Sequence, residues 1–499
     1  MKRKLSFVLA IFCFSFFSFS IPSSAFSFPP PPSTQMGTMP ASIPDVLEPP
    51  QFSKSSCKKQ DVLKRSKKSL GFIKDLSNQE FIATGNIAAV TVGGKLMFVP
   101  AFATGINWIG KFDAAKKPLW QYCFPKRSGA PMPDETIQDM IVTSDGGYLG
   151  IGQSTFGRSG VVANGWVFKL NVDGELEWQK LYGRTFDKNF SAVSLISVMS
   201  TPDQGFIIVG SLNQRITTSS CTICDRRYAL LMKLNTDGEL QWQKSYGMDF
   251  EVSIYPQDEN GKIKKESTEG GFSFKRIFPV ADGGFFVTGT TNIFASNDTW
   301  FARFDSEGNV LWQKAFGKEK ANEIRNIRED HERNLVIAGM LTLGFSQPWA
   351  LKLDPNGKVL WQKILGKSSN VQVFDVVESV DQKGYVFIGR TRPSRAQSIQ
   401  DSLVPQTLWI FQLDTNGKLV WQKGYLSIFD TYSVDLRRFA DGYLLRSDQD
   451  FFPIDSQGGM KKSRSKIFGP VKVNFPSKEF TQEEVETDIH DYEIPISEE

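Results

Sequence analysis

The sequence predicts an all-β chain: a β-propeller of four-stranded antiparallel blades, seven in number, with six and eight as the alternatives. Three observations carry that prediction. The pair Trp-Gln recurs at Trp120, Trp178, Trp242, Trp312, Trp361 and Trp421. An Asp/Asn-x-x-Gly turn precedes most of the pairs, at 171–174, 235–238, 305–308, 354–357 and 414–417. A second aromatic column stands twelve residues before the Trp of the pair, at Trp108, Trp166, Trp300, Trp349 and Trp409, with Leu230 in the third unit. Self-similarity at a fixed period is the mark of a stacked array, in which one unit cannot bury both faces of its sheet but its neighbours bury them for it.

Taken in order, the chain starts with a secretory leader over residues 1–25. Lys2, Arg3 and Lys4 form a positive n-region, residues 5–21 an apolar stretch, and Ser23, Ser24 and Ala25 a small-residue cleavage site. An uncleaved anchor is the alternative; Pro22 and the serines favour cleavage. Phe12 before Cys13 is wrong for a lipid-attachment box. No later apolar run is long enough to span a bilayer. The expected location is therefore outside the cytoplasm: extracellular, cell surface or periplasm. Removing the leader takes the net charge from +4 to +1. That near-neutral body gives no argument for a nucleic-acid partner. Residues 26–70, rich in Pro and Ser and then in Lys, read as a disordered linker. Residues 476–499, dense in Asp and Glu, read as a disordered acidic tail.

Residues 71–475 hold the repeats. Within a unit, a Gly turn opens an apolar strand, as at 145–148, 203–206, 282–285 and 383–385. The third unit parses into strands at about 192–200, 206–212, 228–234 and 239–245. In the tight turns, Asp or Asn binds the backbone two residues on and Gly supplies the positive φ. The first unit is degenerate at 112–116. The seventh keeps the strand at 441–445, the turn at 454–458 and the end at 467–469, but has lost the Trp-Gln pair. Seven units across residues 76–470 give roughly 56 residues each, the upper end for a blade. The tryptophans then act as flat wedges between blades.

The unit, written DGG-aromatic-x-x-x-G … W-x-x-K-L-D-x-x-G-x-x-x-W-Q-K-x-x-G, resembles the propeller repeats of secreted bacterial surface proteins. It is also similar to the Trp-docking repeat of pyrroloquinoline quinone (PQQ) propellers. That resemblance implies the fold and, as an alternative function, a quinoprotein oxidoreductase with its cofactor on the propeller axis. Such dehydrogenases carry adjacent cysteines over the quinone, and this chain has no Cys-Cys pair. The primary reading therefore assigns no cofactor, no metal and no catalytic residue.

The remaining chemistry is sparse. Of the two histidines, His331 falls in a turn that replaces the Gly turn of its unit and reads as solvated, and His490 lies in the acidic tail. Two histidines so placed offer no His-Asp triad or His-rich metal site. The Asp-x-Asp/Asn-Gly segments stop at a strand and lack the terminal bidentate acid of a calcium loop. Cys221 and Cys224 read as a loop-closing disulfide, while the pairing of Cys57 and Cys123 is open. Blade topology puts the first–second and third–fourth turns at one face and the other connections at the opposite one. The latter are long, at 155–164, 213–227, 248–271 and 391–407. That face is the expected binding surface, with Arg226 and Arg227 as candidate contacts for an unknown protein or glycan.

Overall fold

β-Branched and aromatic runs between tight turns leave the chain little but antiparallel strands to form, and strands are what it forms. In the computed structural model the described residues lie between 70 and 497. Residues 1–69, 247–251, 254–271, 392–405, 461–481 and several shorter connections fall outside them. No helix occurs among the described residues. The chain builds seven antiparallel meanders, each in chain order.

Blade 1 comprises Leu70–Asp75, Phe81–Ala88, Gly105–Phe112 and Pro118–Phe124, and blade 2 Glu135–Val142, Tyr148–Phe156, Val162–Leu170 and Leu176–Tyr182. Blade 3 comprises Ser191–Ser200, Phe206–Ile216, Cys224–Leu234 and Leu240–Tyr246, and blade 4 Phe272–Pro279, Phe285–Thr291, Asp298–Phe304 and Val310–Phe316. Blade 5 comprises Asn322–Glu329, Leu335–Thr342, Ser346–Leu353 and Val359–Leu365, and blade 6 Val371–Glu378, Gly384–Thr391, Gln406–Asp414 and Leu419–Ser427. Blade 7 shows Val434–Phe439, Gly442–Ser447 and Asp450–Asp455, with an isolated bridge from Ile454 to Met460. The expected end of that unit, 467–469, lies outside the described residues. First strands of successive blades are neighbours, as in the series Glu135–Val142, Ser191–Ser200 and Phe272–Pro279. This is the radial arrangement of a propeller.

The tight turns obey their sequence chemistry. In the third–fourth turn of blade 3, Asn235 Oδ1 accepts the Asp237 and Glu239 amides at 3.0 and 2.7 Å, and Gly238 has φ 75°. In the first–second turns the left-handed residue is often not glycine: Gln204, Arg333, Gln382 and Ala440 all have positive φ.

Both tryptophan columns sit between blades, and they face opposite ways. The third-strand column is fully buried: Trp108, Trp166, Trp300, Trp349 and Trp409 are at most 1% exposed. Each of its members in a core cluster packs toward the preceding blade, Trp409 for instance against Val336, Ala338 and Ala350 of blade 5. The Trp-Gln column is half-buried and reaches forward. Trp361 joins that same cluster from blade 5, and Trp242, Trp312 and Trp421 do likewise at later and earlier seams. Each seam of this kind thus closes on one tryptophan from either side or on an aromatic substitute such as Phe452 of blade 7.

The tail departs from the expectation of disorder at three places. Gln482–Glu484, Ile489–Asp491 and Ile496–Ser497 are strands, added to the outer edges of blades 5, 4 and 3. An acidic composition marks a segment that cannot make its own core, but an open sheet edge supplies backbone partners without one.

Candidate functional site

An antiparallel meander sends alternate connections to opposite ends of the blade, so the two ends are taken in turn. At the tight-turn end a cation recurs three residues after the buried Trp column: Lys111, Lys169, Lys233, Arg303 and Lys352, with Gln412 in blade 6. The repeat shows this Lys, but its sequence alone implies no role for it. It is drawn into the blade by an acid of the first–second turn. Lys169 Nζ lies 2.7 Å from Asp145 and 2.8 Å from Glu177, Lys233 lies 2.6 Å from Asp203, and Arg303 grips Asp282 with both carboxylate oxygens within 2.6 Å. Lys352 lies 3.3 Å from the buried Asp330. A long charged residue repeated inside an apolar strand was the signal available in the sequence.

Between blades 2 and 3 this end opens into a notch of about 400 Å³, lined by Asp145, Lys169, Glu177, Trp178, Phe206 and Asp237 among others. Burial pushes the Asp145 carboxyl up, but hydrogen bonds from Lys169, Thr143 and the Gly147 amide outweigh it and hold the group at about 2. Burial works against the Lys169 charge too, and Asp145 and Glu177 more than restore it. Neither group changes protonation near neutrality, so the notch presents fixed charges and an aromatic wall rather than a proton-transfer pair.

The other end carries the long connections. Those between second and third strands run from the two residues 448–449 in blade 7 to the fourteen residues 392–405 in blade 6 and the sixteen residues 89–104 in blade 1, the last carrying the short hairpin Val90–Val92 with Lys95–Met97. Blade 3 differs in being built up rather than looped out. Its second and third strands are eleven residues each and stay in register throughout, from Phe206 opposite Leu234 to Ile216 opposite Cys224. A further short strand, Val252–Ser253, pairs with Asp225 and Cys224. The expected loop 213–227 is therefore mostly a three-stranded arm. Arg226 and Arg227, expected in a loop, are strand residues opposite Gln214 and Asn213. The reason is the run Asn213–Ile216 against Cys224–Arg227, which continues the ladder once the blade has set its register. The expected loop 155–164 is likewise shortened, because strands reach Phe156 and resume at Val162.

Cys221 and Cys57 lie outside the described residues, and Cys224 opens the third strand of blade 3. Cys123, buried in blade 1, is disulfide-bonded. Trp120, Trp178, Trp242, Trp312, Trp361 and Trp421 act as seam residues. Each covers the glycine of the next blade's turn, from Gly174 to Gly458, so that a Cβ on Gly308 would stand 2.5 Å from Trp242. The Gln of the pair has its own task. Gln179, Gln313 and Gln422 accept the indole N–H of Trp166, Trp300 and Trp409 at 3.0–3.1 Å.

His331 is exposed but not simply solvated. Its Nδ1 is bonded to Glu378 of blade 6, whose other oxygen takes Arg438 of blade 7 at 3.3 Å. That hydrogen bond raises the imidazole above its ordinary value. Among the described residues no group of three His, Cys, Asp or Glu side chains converges as a metal site would require.

No family model matches the chain, and no curated protein matches it. Solved structures do. A protein of unknown function from Dyadobacter fermentans is 11% identical with a TM-score of 0.38, covering 72% of this chain and 95% of its own. Puromycin hydrolase is 11% identical with a TM-score of 0.43 over 82% of this chain and 55% of that enzyme. The WD40 domain of SCAP from fission yeast is 12% identical with a TM-score of 0.28, over 76% and 92%.

Proposed function

We propose that this chain is an exported binding scaffold whose long-connection end takes a protein or glycan partner. The observation that carries the reading is the blade 3 arm, in which a register-locked ladder holds Arg226 and Arg227 on a fixed, paired support. Binding residues held on such a support lose little entropy on capture. Two further features favour the same reading. The cations of the tight-turn end are already engaged in ion pairs within their own blades. The disulfide at Cys123 suits an oxidising compartment, as the leader does.

The test compares two variants for capture of partners from native envelope or medium. Arg226→Glu/Arg227→Glu alters the arm, and Asp237→Lys alters the opposite end. Loss of capture by the arm variant alone, at an unchanged melting midpoint, supports the proposal. Equal capture by both variants and the wild type sinks it. The repeat's resemblance to quinoprotein propellers motivates the alternative, a PQQ-dependent oxidoreductase. Stoichiometric quinone binding with calcium, seen by absorbance and accompanied by dye-linked turnover, would establish it instead.

A further inference from the structure

The outer edge of a blade is a row of unpaired backbone donors and acceptors, and on three blades it is covered. Glu484 pairs with Lys363 and Gln482 with Leu365 on blade 5; Asp491 pairs with Lys314 and Ile489 with Phe316 on blade 4; Ile496 pairs with Tyr246 on blade 3. Gln482, Ile489 and Ile496 are seven residues apart and take the same station on successive blades, opposite the residue that ends Trp-Gln-Lys-x-Tyr/Phe/Leu. The acids Glu484 and Asp491 keep that period and fall opposite the lysine of the Trp-Gln-Lys motif. In antiparallel ladders, directly opposed residues of opposite charge attract and like charges repel.

Charge along the rim matches this placement. The motif lysine of blade 2, Lys180, is bonded to Glu239 in the turn of blade 3. At the next seam Lys244 meets Asn309 at 2.9 Å. The same turn position then becomes Lys358 in blade 5 and Lys418 in blade 6. Going round the rim, the turn residue thus changes from acid to amide to base. An acidic strand lies on the edges of blades 4 and 5, whose motif lysines Lys314 and Lys363 stand beside the turns of the following blades that carry the base.

We propose that the outer edges of blades 4 and 5 form an acceptor site for extended acidic strands of seven-residue period, selected by Lys314 and Lys363, and that its occupants are this chain's own strands Gln482–Glu484 and Ile489–Asp491. They close edges that would otherwise recruit foreign strands.

Hydrogen exchange of the full chain, read by mass spectrometry over 476–499, 310–316 and 359–365, tests the assignment. The wild type shows a protected tail, with protection independent of protein concentration and weakened between 0.05 and 0.5 M NaCl. Lys314→Glu/Lys363→Glu speeds tail exchange about tenfold. Adding Glu484→Lys/Asp491→Lys to that variant restores protection. Four results overturn the proposal: tail amides that exchange at the free-peptide rate in the wild type, salt-independent protection, no restoration in a folded charge-swapped chain, or protection that appears only at high concentration. The last would make the occupant a second copy. The salt series on the wild type decides even where the reversed variant fails to fold.

Discussion

The two tryptophan columns look interchangeable along the chain and do different work in the fold. Trp409 is fully buried, looks back toward blade 5, and has its indole N–H bound by Gln422 of its own blade. Trp361 is half-buried, looks forward over Gly417, and donates its N–H to the Thr415 carbonyl of the next blade at 2.9 Å. Trp409, like Trp166 and Trp300, is core with its polar group satisfied within its blade. Trp361, like Trp312, is a clamp whose polar group crosses the seam, whereas Trp421 gives its N–H to Gln412 of its own blade. Trp409 and Trp361 meet in one cluster between blades 5 and 6, so that seam offers a direct comparison.

Trp409→Ala should be the most damaging change, about 3–5 kcal/mol as for other buried tryptophans. Trp361→Ala, with part of its ring already in water, should cost about 2 kcal/mol by area. Thermal midpoints of the two variants check the order, and equal losses would erase the distinction between core and clamp. Gln422→Leu sharpens it further. The variant keeps the apolar bulk but strands the Trp409 N–H, which should cost about 2 kcal/mol. Gly308→Ala tests the clamp from the turn side at the seam between blades 3 and 4. A Cβ there requires an unfavourable positive φ and meets Trp242 at 2.5 Å. A loss of about 1–2 kcal/mol follows, read from urea midpoints.

Much of this was legible because tryptophan, Asp/Asn and Gly act through local rules that repeat with the unit. The strands of the third unit fall within a few residues of their expected places, except where the arm prolongs them at 213–216 and 224–227. That extension depends on cross-strand pairing, which no single stretch announces. Lys169 and its counterparts were visible, yet their meaning required knowing which turn acid lies across the blade. The tail was opaque for a deeper reason. Its acidic composition offers too little apolar surface to mark an element of its own, and it acquires sense only from the spacing of blade edges. The turn at 330–334 misleads in the opposite sense. Without a glycine it reads as plain surface, whereas Arg333 takes the left-handed position and Asp330 accepts the Glu332 and Asn334 amides and the Tyr385 hydroxyl.

Blade 7 carries neither tryptophan in the sheet that faces blade 6, yet polar contacts of the kind seen at other seams, where Val198 donates to Asp139 and Tyr182 to the Gly238 carbonyl, recur there. Asp375 accepts the Leu436 amide at 2.9 Å, Tyr425 donates to the Gly458 carbonyl, and Glu378 holds His331 on one side and Arg438 on the other. The last of these makes blades 5, 6 and 7 sensitive to pH in a way their tryptophans are not. The His331 imidazole is raised above 6.5 by its bond to Glu378. A group raised in the folded state stabilises it fully below the unfolded value, and the contribution fades as pH climbs through the folded value. The wild type should therefore lose a small part of its thermal midpoint between pH 5.5 and 8.5. His331→Gln should flatten that slope, while Trp361→Ala lowers the midpoint at both pH values alike. An unchanged slope in His331→Gln would remove the clamp from the account of this seam and leave Asp375 and Arg438 to hold it.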